Sequence, residues 1–281
     1  MISIRIQADD GGRRETVSKG AIMIYVFASS KMEAQPVLGF DQKNAAGKDT
    51  PTIVEQNGNR FAVVITGMGI GNAKAKAESA LGLAGGESAG AQQAAEKPEG
   101  ILVMGLCGGL TEALRQESIV VYTDCLSAGN LPPLRCSAAL VDAIVQNLQS
   151  HDIKCDRVTG ITSPRIASGR SEKTTLAASG ASVVDMESYE ILSAAARAEV
   201  PAAVLRVVSD PLDANMPNFN PALDANGGLN GRKALGIALG SPFKTLRLVG
   251  ANKRAMDRLT PAVRLILQSN CFSVLKSSVG H

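Results

Sequence analysis

Tryptophan is absent, and aromatic residues make up only 3% of the 281-residue chain. A surface that reads single-stranded nucleic acid by stacking bases on aromatic rings is therefore poorly supplied. The net charge of +3, without a dense Lys/Arg run, gives no electrostatic footprint for a nucleic-acid partner either. Histidine is scarcer still: His151 and the terminal His281 are the only two. A Ser-His-Asp triad, a Cys-His pair or a His-rich metal site would have to rest on His151 alone, in what reads as a surface loop. Acid–base chemistry therefore falls to carboxylates, and no metal site is expected. The five cysteines (Cys107, Cys125, Cys136, Cys155, Cys271) are odd in number and form no C-x-x-C pair, which suits a reducing cytoplasm. The longest apolar runs, such as Ile101–Met104 and Ala202–Leu205, are far too short to span a membrane. The first twenty residues have no apolar h-region of the kind a signal peptide needs.

What is present is 45% hydrophobic residues, enough for a full core. Residues 1–20 read as a polar, disordered leader, and 21–281 as one large α/β domain. Short β-branched runs alternate with longer amphipathic stretches, the pattern of strands joined by helices. Strands are expected at Ala21–Ala28, Phe61–Thr66, Gly100–Met104, Ser118–Tyr122, Ser182–Asp185 and Ala202–Ser209. Helical spacing of apolar positions covers Ala73–Leu83, Ser137–Gln149, Ser171–Ser179 and Ser188–Ala198. Gly85–Gly100 is low in complexity and reads as a solvated loop. Pro211–Gly231, rich in Pro, Asn and Gly, reads as irregular. A C-terminal helical extension is expected over about 232–270. Its basic residues, Lys244, Arg247, Lys253, Arg254, Arg258 and Arg264, read as a solvated helix face.

Several expected strands stop at residues able to do chemistry or to approach a ligand closely. The first ends at Ser29–Ser30 and leads to Glu33. The second ends in Gly67-Met-Gly-Ile-Gly71 and the third in Gly105-Leu-Cys-Gly-Gly109. Others end in Asp185-Met186-Glu187 and Ser209-Asp210. In open α/β sheets, ligands bind outside the carboxyl ends of strands, so these groups would surround one pocket. Each has a plainer reading taken singly. Gly67–Gly71 approximates a dinucleotide fingerprint but also fits a tight turn, and the acidic ribose partner about twenty residues on is missing. Gly105–Gly109 fits either a close-packing turn or an anion or water site at a helix start. Glu33 and Glu187 fit helix N-terminal carboxylates, and Asp210 a cap or turn residue.

Taken together, VVITGMGIGNAKA (Val63–Ala75), ILVMGLCGGL (Ile101–Leu110), SIVVYTD (Ser118–Asp124), VVDMES (Val183–Ser188) and VLRVVSD (Val204–Asp210) resemble the successive motifs of the nucleoside phosphorylase/nucleosidase superfamily. That superfamily includes the methylthioadenosine/S-adenosylhomocysteine nucleosidases. The continuation RVVSDPLDANMPNFNPAL, with SPFKTLRLVGANKRAMDRL further on, resembles the hopanoid-associated branch, whose members are thought to remove adenine from adenosylhopane. The resemblance implies a three-layer αβα sandwich around a mixed, partly barrel-like sheet, and cleavage of a purine N-glycosidic bond. It also implies a homodimer acting on a small nucleoside, with a lipid-linked substrate and peripheral membrane contact in the hopanoid branch.

The resemblance assigns roles as well. Glu33 activates the nucleophile, Glu187 holds the ribose hydroxyls, and Met186 packs on the sugar. Asp210 protonates or hydrogen-bonds N7 of the leaving purine, next to Ser209. Arg206 helps hold the nucleophile or phosphate, Gly67 lies beside the substrate, and Gly105, Cys107, Gly108 and Gly109 line the anion or water site. The division of labour suits a reaction that passes through an oxocarbenium-like transition state and expels a neutral base. Neither metal nor redox cofactor is needed. Three positions depart from the family pattern. Leu106 stands where many members have a phosphate- or water-contacting serine. Leu102-Val103-Met104 lacks the arginine of some phosphorylases. Thr162-Ser163-Pro164-Arg165-Ile166 lacks both the acid and the aromatic that meet the purine. These departures favour water as nucleophile, leave phosphate open as a co-substrate, and leave apolar contact from Ile166 on the base side.

Overall fold

The computed structural model describes residues 21–39, 51–84 and 96–279; the leader and most of the Gly85–Gly100 segment lie outside the described residues. Nine strands form one mixed sheet. They are β1 (Met23–Ala28), β2 (Thr52–Gln56), β3 (Asn59–Ile65), β4 (Gly100–Gly109), β5 (Ile119–Ser127), β6 (Leu134–Arg135), β7 (Cys155–Thr162), β8 (Val183–Asp185) and β9 (Ala202–Asp210). Five of them close on themselves: β4 pairs β8, β8 pairs β7, β7 pairs β5, β5 pairs β9, and β9 pairs β4. This ring is the barrel-like part of the sheet. Its outer wing runs β4–β1–β3–β2, with β1 parallel to both β3 and β4 and β2 antiparallel at the edge.

β4 and β9 are deeply placed strands. All nine residues of β9 are buried, including Arg206, Ser209 and Asp210, and only Leu106 of β4 is partly exposed. Strands covered on both faces read as near-continuous apolar runs, which is what VLRVV and ILVM are. The covering helices are α1 (Lys31–Leu38), α2 (Ile70–Ala80), α3 (Ala138–Gln149), α4 (Arg170–Ala177), α5 (Ser188–Arg197), α6 (Gly231–Gly240) and α7 (Pro242–Gln268). Helices α1 and α3 pack with α7, while α2 packs with α5, and both groups touch the sheet. In α3, Leu140, Val141, Ile144, Val145 and Leu148 make the single buried stripe that turns this sequence into a covering helix. In α7 the buried positions begin only at Ala255, and α6 buries nothing.

The structure corrects the sequence expectations at several points. Strands β2, β6 and β7 are additions to the expected elements, and helix α1 accords with the helix N-terminal reading of Glu33. Gly105–Gly109 is not a turn opening a helix: it is the second half of β4, so the helix-start argument for anion binding there falls away. The reason is local. Gly108 lies 3.0 Å, measured from an added Cβ, from Asp210 Oδ2, and Gly105 (φ 153°) lies similarly 2.6 Å from Glu33 Oε1. These glycines let site side chains rest on the strand backbone. In β7, Gly160 has the same cause: a Cβ there would fall 2.1 Å from the Tyr122 ring.

Candidate active site

Four elements bring their ends together. At the close of β1, Ser30 caps α1 and its Oγ accepts from the Glu33 amide at 3.3 Å. Glu33 in turn reaches back, its Oε2 accepting from the Ser29 amide at 2.9 Å and from the Ser29 hydroxyl. That much resembles a capping box. Capping does not explain the other oxygen, however, which accepts from the Leu106 amide of β4 at 2.8 Å. A buried carboxylate thus ties the first helix to the middle of the sheet.

The second group comes from the end of β8. Asp185 Oδ1 accepts from the amides of Glu187 and Ser188 at 3.0 and 2.9 Å and from Thr162 Oγ1 at 2.8 Å, while Oδ2 accepts from Tyr122 Oη at 2.9 Å. This network fixes the start of α5 and aims Glu187 inward. Glu187 Oε1 accepts from the Gly69 amide at 3.0 Å. Gly69 must be glycine: its φ is 97°, and a Cβ would fall 2.5 Å from the backbone of Gly227. The Gly67–Gly71 motif is therefore the tight turn rather than a dinucleotide loop. Gly67 itself (φ 81°) faces Asn72, and Met186 is half-buried beside Glu187.

Arg206 of β9 joins these carboxylates. It is 1% exposed. Its Nη2 donates to Ser188 Oγ at 2.9 Å and lies 3.6 Å from Glu187 Oε2; Nη1 donates to the Leu106 carbonyl at 3.1 Å; Nε lies 3.8 Å from Asp185 Oδ2. The electrostatic consequences differ between the partners. Burial alone would raise the Asp185 carboxyl, but the Arg206 guanidinium and the Ser188 and Thr162 donors hold it below its ordinary value. For Glu187 burial wins, aided by the charge of Asp185, and its carboxyl is pushed up to about 7 despite Arg206.

This has a measurable result. Folded Glu187 titrates near 7 against an ordinary value of 4.5. The folded state thus holds a proton that the unfolded state releases, so stability falls as pH rises across that window. Above it, ionised Glu187 costs on the order of 3 kcal/mol. Glu187→Gln should therefore gain thermal stability relative to the parent as pH is raised from 5 to 8. Melting temperatures at both pH values check this; a constant difference would contradict the shift.

The third group sits at the end of β9. The register between β4 and β9 slips after Cys107–Val208, so that Gly108 next pairs with Asp210. This bulge leaves Ser209 unpaired in the register, and its hydroxyl donates to Asp210 Oδ1 at 2.6 Å and approaches the Cys107 carbonyl at 3.3 Å. The other Asp210 oxygen accepts from Lys173 Nζ at 2.6 Å. Lys173, on α4, has no exposed surface, and its ammonium also donates to the carbonyls of Asp210 and Pro211 at 2.9 and 2.6 Å. Burial pushes the Asp210 carboxyl above its ordinary value, with Lys173 and Ser209 pulling against it. Burial also pushes the Cys107 thiol well up, which leaves it a neutral wall residue rather than a nucleophile.

A strap links two edges of the site. Ile166, half-buried after β7, has its amide and carbonyl both bonded to the Asn220 side chain at 2.9 Å. Six residues further on, the Asn226 carbonyl accepts from the Gly71 amide at 3.1 Å. The irregular 211–231 segment thus spans from the Ile166 loop to the Gly69 turn. His151 stands apart, exposed, with Nδ1 at 2.9 Å from the Asn147 carbonyl. Among the described residues, no group of three or more His, Cys, Asp or Glu side chains is placed to hold a metal ion.

A family model for the phosphorylase superfamily matches residues 40–227. The chain belongs to the phosphorylase superfamily. The solved structures it resembles include an S-adenosylhomocysteine nucleosidase from Streptococcus pyogenes in complex with 5-methylthiotubericidin. It is 15% identical, with a TM-score of 0.65, over 89% of this chain and 97% of that one. A 5'-methylthioadenosine/S-adenosylhomocysteine nucleosidase from Neisseria meningitidis with methylthio-immucillin-A gives the same TM-score at 14% identity, over 88% and 98%. A futalosine hydrolase mutant from Helicobacter pylori gives 0.63 at 14%, over 87% and 98%. At these identities the likeness establishes the shared α/β fold with its closed five-strand ring. No curated protein matches the sequence.

Within this superfamily member, the expected residues Glu187, Ser209 and Asp210 lie at or just beyond strand ends, Glu33 in the first turn of α1 and Arg206 in the middle of β9, with Gly105, Cys107 and Gly108 of β4 between them. Gly109 is turned away, packed against Leu114 and Pro211. Two residues that sequence reasoning did not single out belong to the cluster. Asp185, noted only as part of its motif, orients α5; Lys173 is the sole ammonium touching Asp210 among the described residues.

Proposed function

We propose that the chain hydrolyses the N-glycosidic bond of a purine nucleoside. The observation that carries this reading is the separation of charge along one strand. Arg206 gathers Glu33, Asp185 and Glu187 at one position of β9, and Asp210 stands alone with Lys173 at its end. A ribose between the two groups would have carboxylates near its anomeric carbon, where positive charge develops, and an acid near the departing base. In this reading Glu33 takes a proton from the attacking water, since its Oε1 already lies on the β4 floor. Glu187 accepts from the ribose hydroxyls, Met186 packs on the sugar, and Asp210 delivers a proton to N7, oriented by Ser209. Ile166 with Asn220 borders the base.

Water rather than phosphate is supported by the same arrangement. Arg206 is spent on carboxylates and two neutral acceptors, and a phosphate dianion placed there would face three acidic groups. Leu106 contributes no side-chain donor. For the group attached to the ribose we propose an apolar 5' substituent, of which adenosylhopane is the example suggested by the likeness of the 206–259 region to the hopanoid-associated branch. A cytoplasmic homodimer requiring neither metal nor redox cofactor completes the proposal.

The test is direct. Purified protein is incubated with adenosine, methylthioadenosine and S-adenosylhomocysteine, in phosphate-free and phosphate-containing buffer, and free base and sugar products are separated by chromatography. Adenine with free sugar, at equal rates in both buffers, is the expected result. A strict phosphate requirement with sugar 1-phosphate as product would replace hydrolysis by phosphorolysis. Binding without base release would make the protein a catalytically silent relative.

A further inference from the structure

Helix α6 buries none of its residues, and α7 buries none before Ala255. The outer surface of this helix pair is not polar. Leu229, Leu235, Leu239, Phe243, Leu246 and Val249 are all exposed, Phe243 at 82% and Leu239 and Leu246 at 72%. Their spacing, four apart in α6 and three apart in α7, puts them along one stripe of each helix. The helices meet at Ser241, which brings the nearest members of the two stripes, Leu239 and Phe243, within four residues of each other. Large apolar side chains at this exposure, gathered in one place, mark a surface that is covered in use.

The charge around the patch says by what. From Ala225 to Met256 there is no Asp or Glu, while Arg232, Lys233, Lys244, Arg247, Lys253 and Arg254 give six cations. Arg254 is engaged by Glu117 at 3.5 Å. The other five are exposed, and no ion pair to a described carboxylate involves them; Lys244 Nζ donates only to the neutral Asn215 Oδ1 at 2.8 Å. Arg232 lies three residues before Leu235 and Arg247 four after Phe243, which seats both guanidinium groups at the edge of the apolar stripe. A second copy docked face to face across a two-fold axis would bring cation against cation. An apolar stripe flanked only by cations fits the headgroup and acyl boundary of an anionic bilayer.

We propose that the α6–α7 face docks this protein on anionic membranes. No helix among the described residues is long and apolar enough to cross a bilayer, so the contact is peripheral. It would set the strap that borders the site near the lipid surface, because Gly227, which abuts Gly69, lies only two residues before Leu229.

Vesicle sedimentation of the full chain tests this without any activity assay. Vesicles of phosphatidylcholine alone are compared with vesicles holding roughly a third phosphatidylserine. Binding is expected to the anionic vesicles and to weaken steeply as salt is raised. Arg247→Glu should weaken it about fivefold or more. The Leu239→Ser/Phe243→Ser double variant should lose at least tenfold while keeping its melting temperature and its oligomeric state. Absence of binding to anionic vesicles overturns the proposal. So does equal binding to neutral ones, binding indifferent to the double substitution, or a change of oligomeric state in the double variant. The last result would assign the face to a second copy.

Discussion

Replacement of Arg206 by methionine is expected to abolish base release and to lower stability by about 3–5 kcal/mol, the usual cost of removing one partner from a buried ionic group. Arg206 is the cation that Asp185, Glu187 and Glu33 share, and none of the three can turn to water. Without it, Asp185 loses the charge that holds its carboxyl down, and Glu187, already near 7, is pushed further up. The deficit must therefore depend on pH. Carboxylates whose folded values are raised lose stability as pH climbs from their unfolded values through the folded ones, so the variant should be closest to the parent near pH 5 and furthest from it near pH 8. Urea denaturation at the two values measures this. Arg206→Lys keeps the charge but not the fork that reaches both Ser188 Oγ and the Leu106 carbonyl, so it should recover stability more than activity. A methionine variant as stable as the parent at pH 8 would mean that the carboxylates are compensated elsewhere.

How much of this arrangement the sequence disclosed depends on the range over which each residue acts. Glu33, Glu187 and Asp210 follow or close runs such as YVFA and VLRVV, whose β-branched, apolar character already marks strands, and Arg206 interrupts one of them. A charged residue at the end of such a run is conspicuous. Strand β7 was illegible because CDRVTGIT carries two charges and a glycine. Only the Tyr122 ring lying over Gly160 explains why glycine is there. The full length of β4 is hidden for the same reason: Gly105 and Gly108 look like punctuation, whereas they are gaps filled by Glu33 and Asp210. Most of the basic C-terminal residues are exposed as a solvated face should be, but a helical pattern does not say which apolar stripe beside them remains uncovered. Lys173 was the largest omission. In RSEKTTLA it looks like one more surface lysine, and nothing local shows that its ammonium ends 37 residues away on Asp210.

That lysine carries the second large effect. Lys173→Met should leave Asp210 Oδ2 and the carbonyls of Asp210 and Pro211 without their donor in a fully buried setting, at a cost of about 3–5 kcal/mol. Its effect on turnover should differ in kind from that of Asp210→Asn. The amide cannot donate a proton as an acid does, and a loss of roughly a hundred- to ten-thousandfold in kcat/KM at every pH is expected. Lys173→Met retains the acid but removes the cation that opposes burial, so Asp210 should hold its proton to higher pH. The alkaline limb of kcat/KM, where the protonated form is lost, then moves upward. Lys173→Arg, which restores the charge, should bring the limb back towards its original position even if the larger head group fits imperfectly. Base-release assays across pH on the three variants separate the roles. A displaced limb makes Lys173 the positioning residue that sets how readily the acid gives up its proton. A lowered stability with an unmoved limb would reduce it to a structural tie between α4 and β9, and would place the proton that reaches the base on a group other than Asp210.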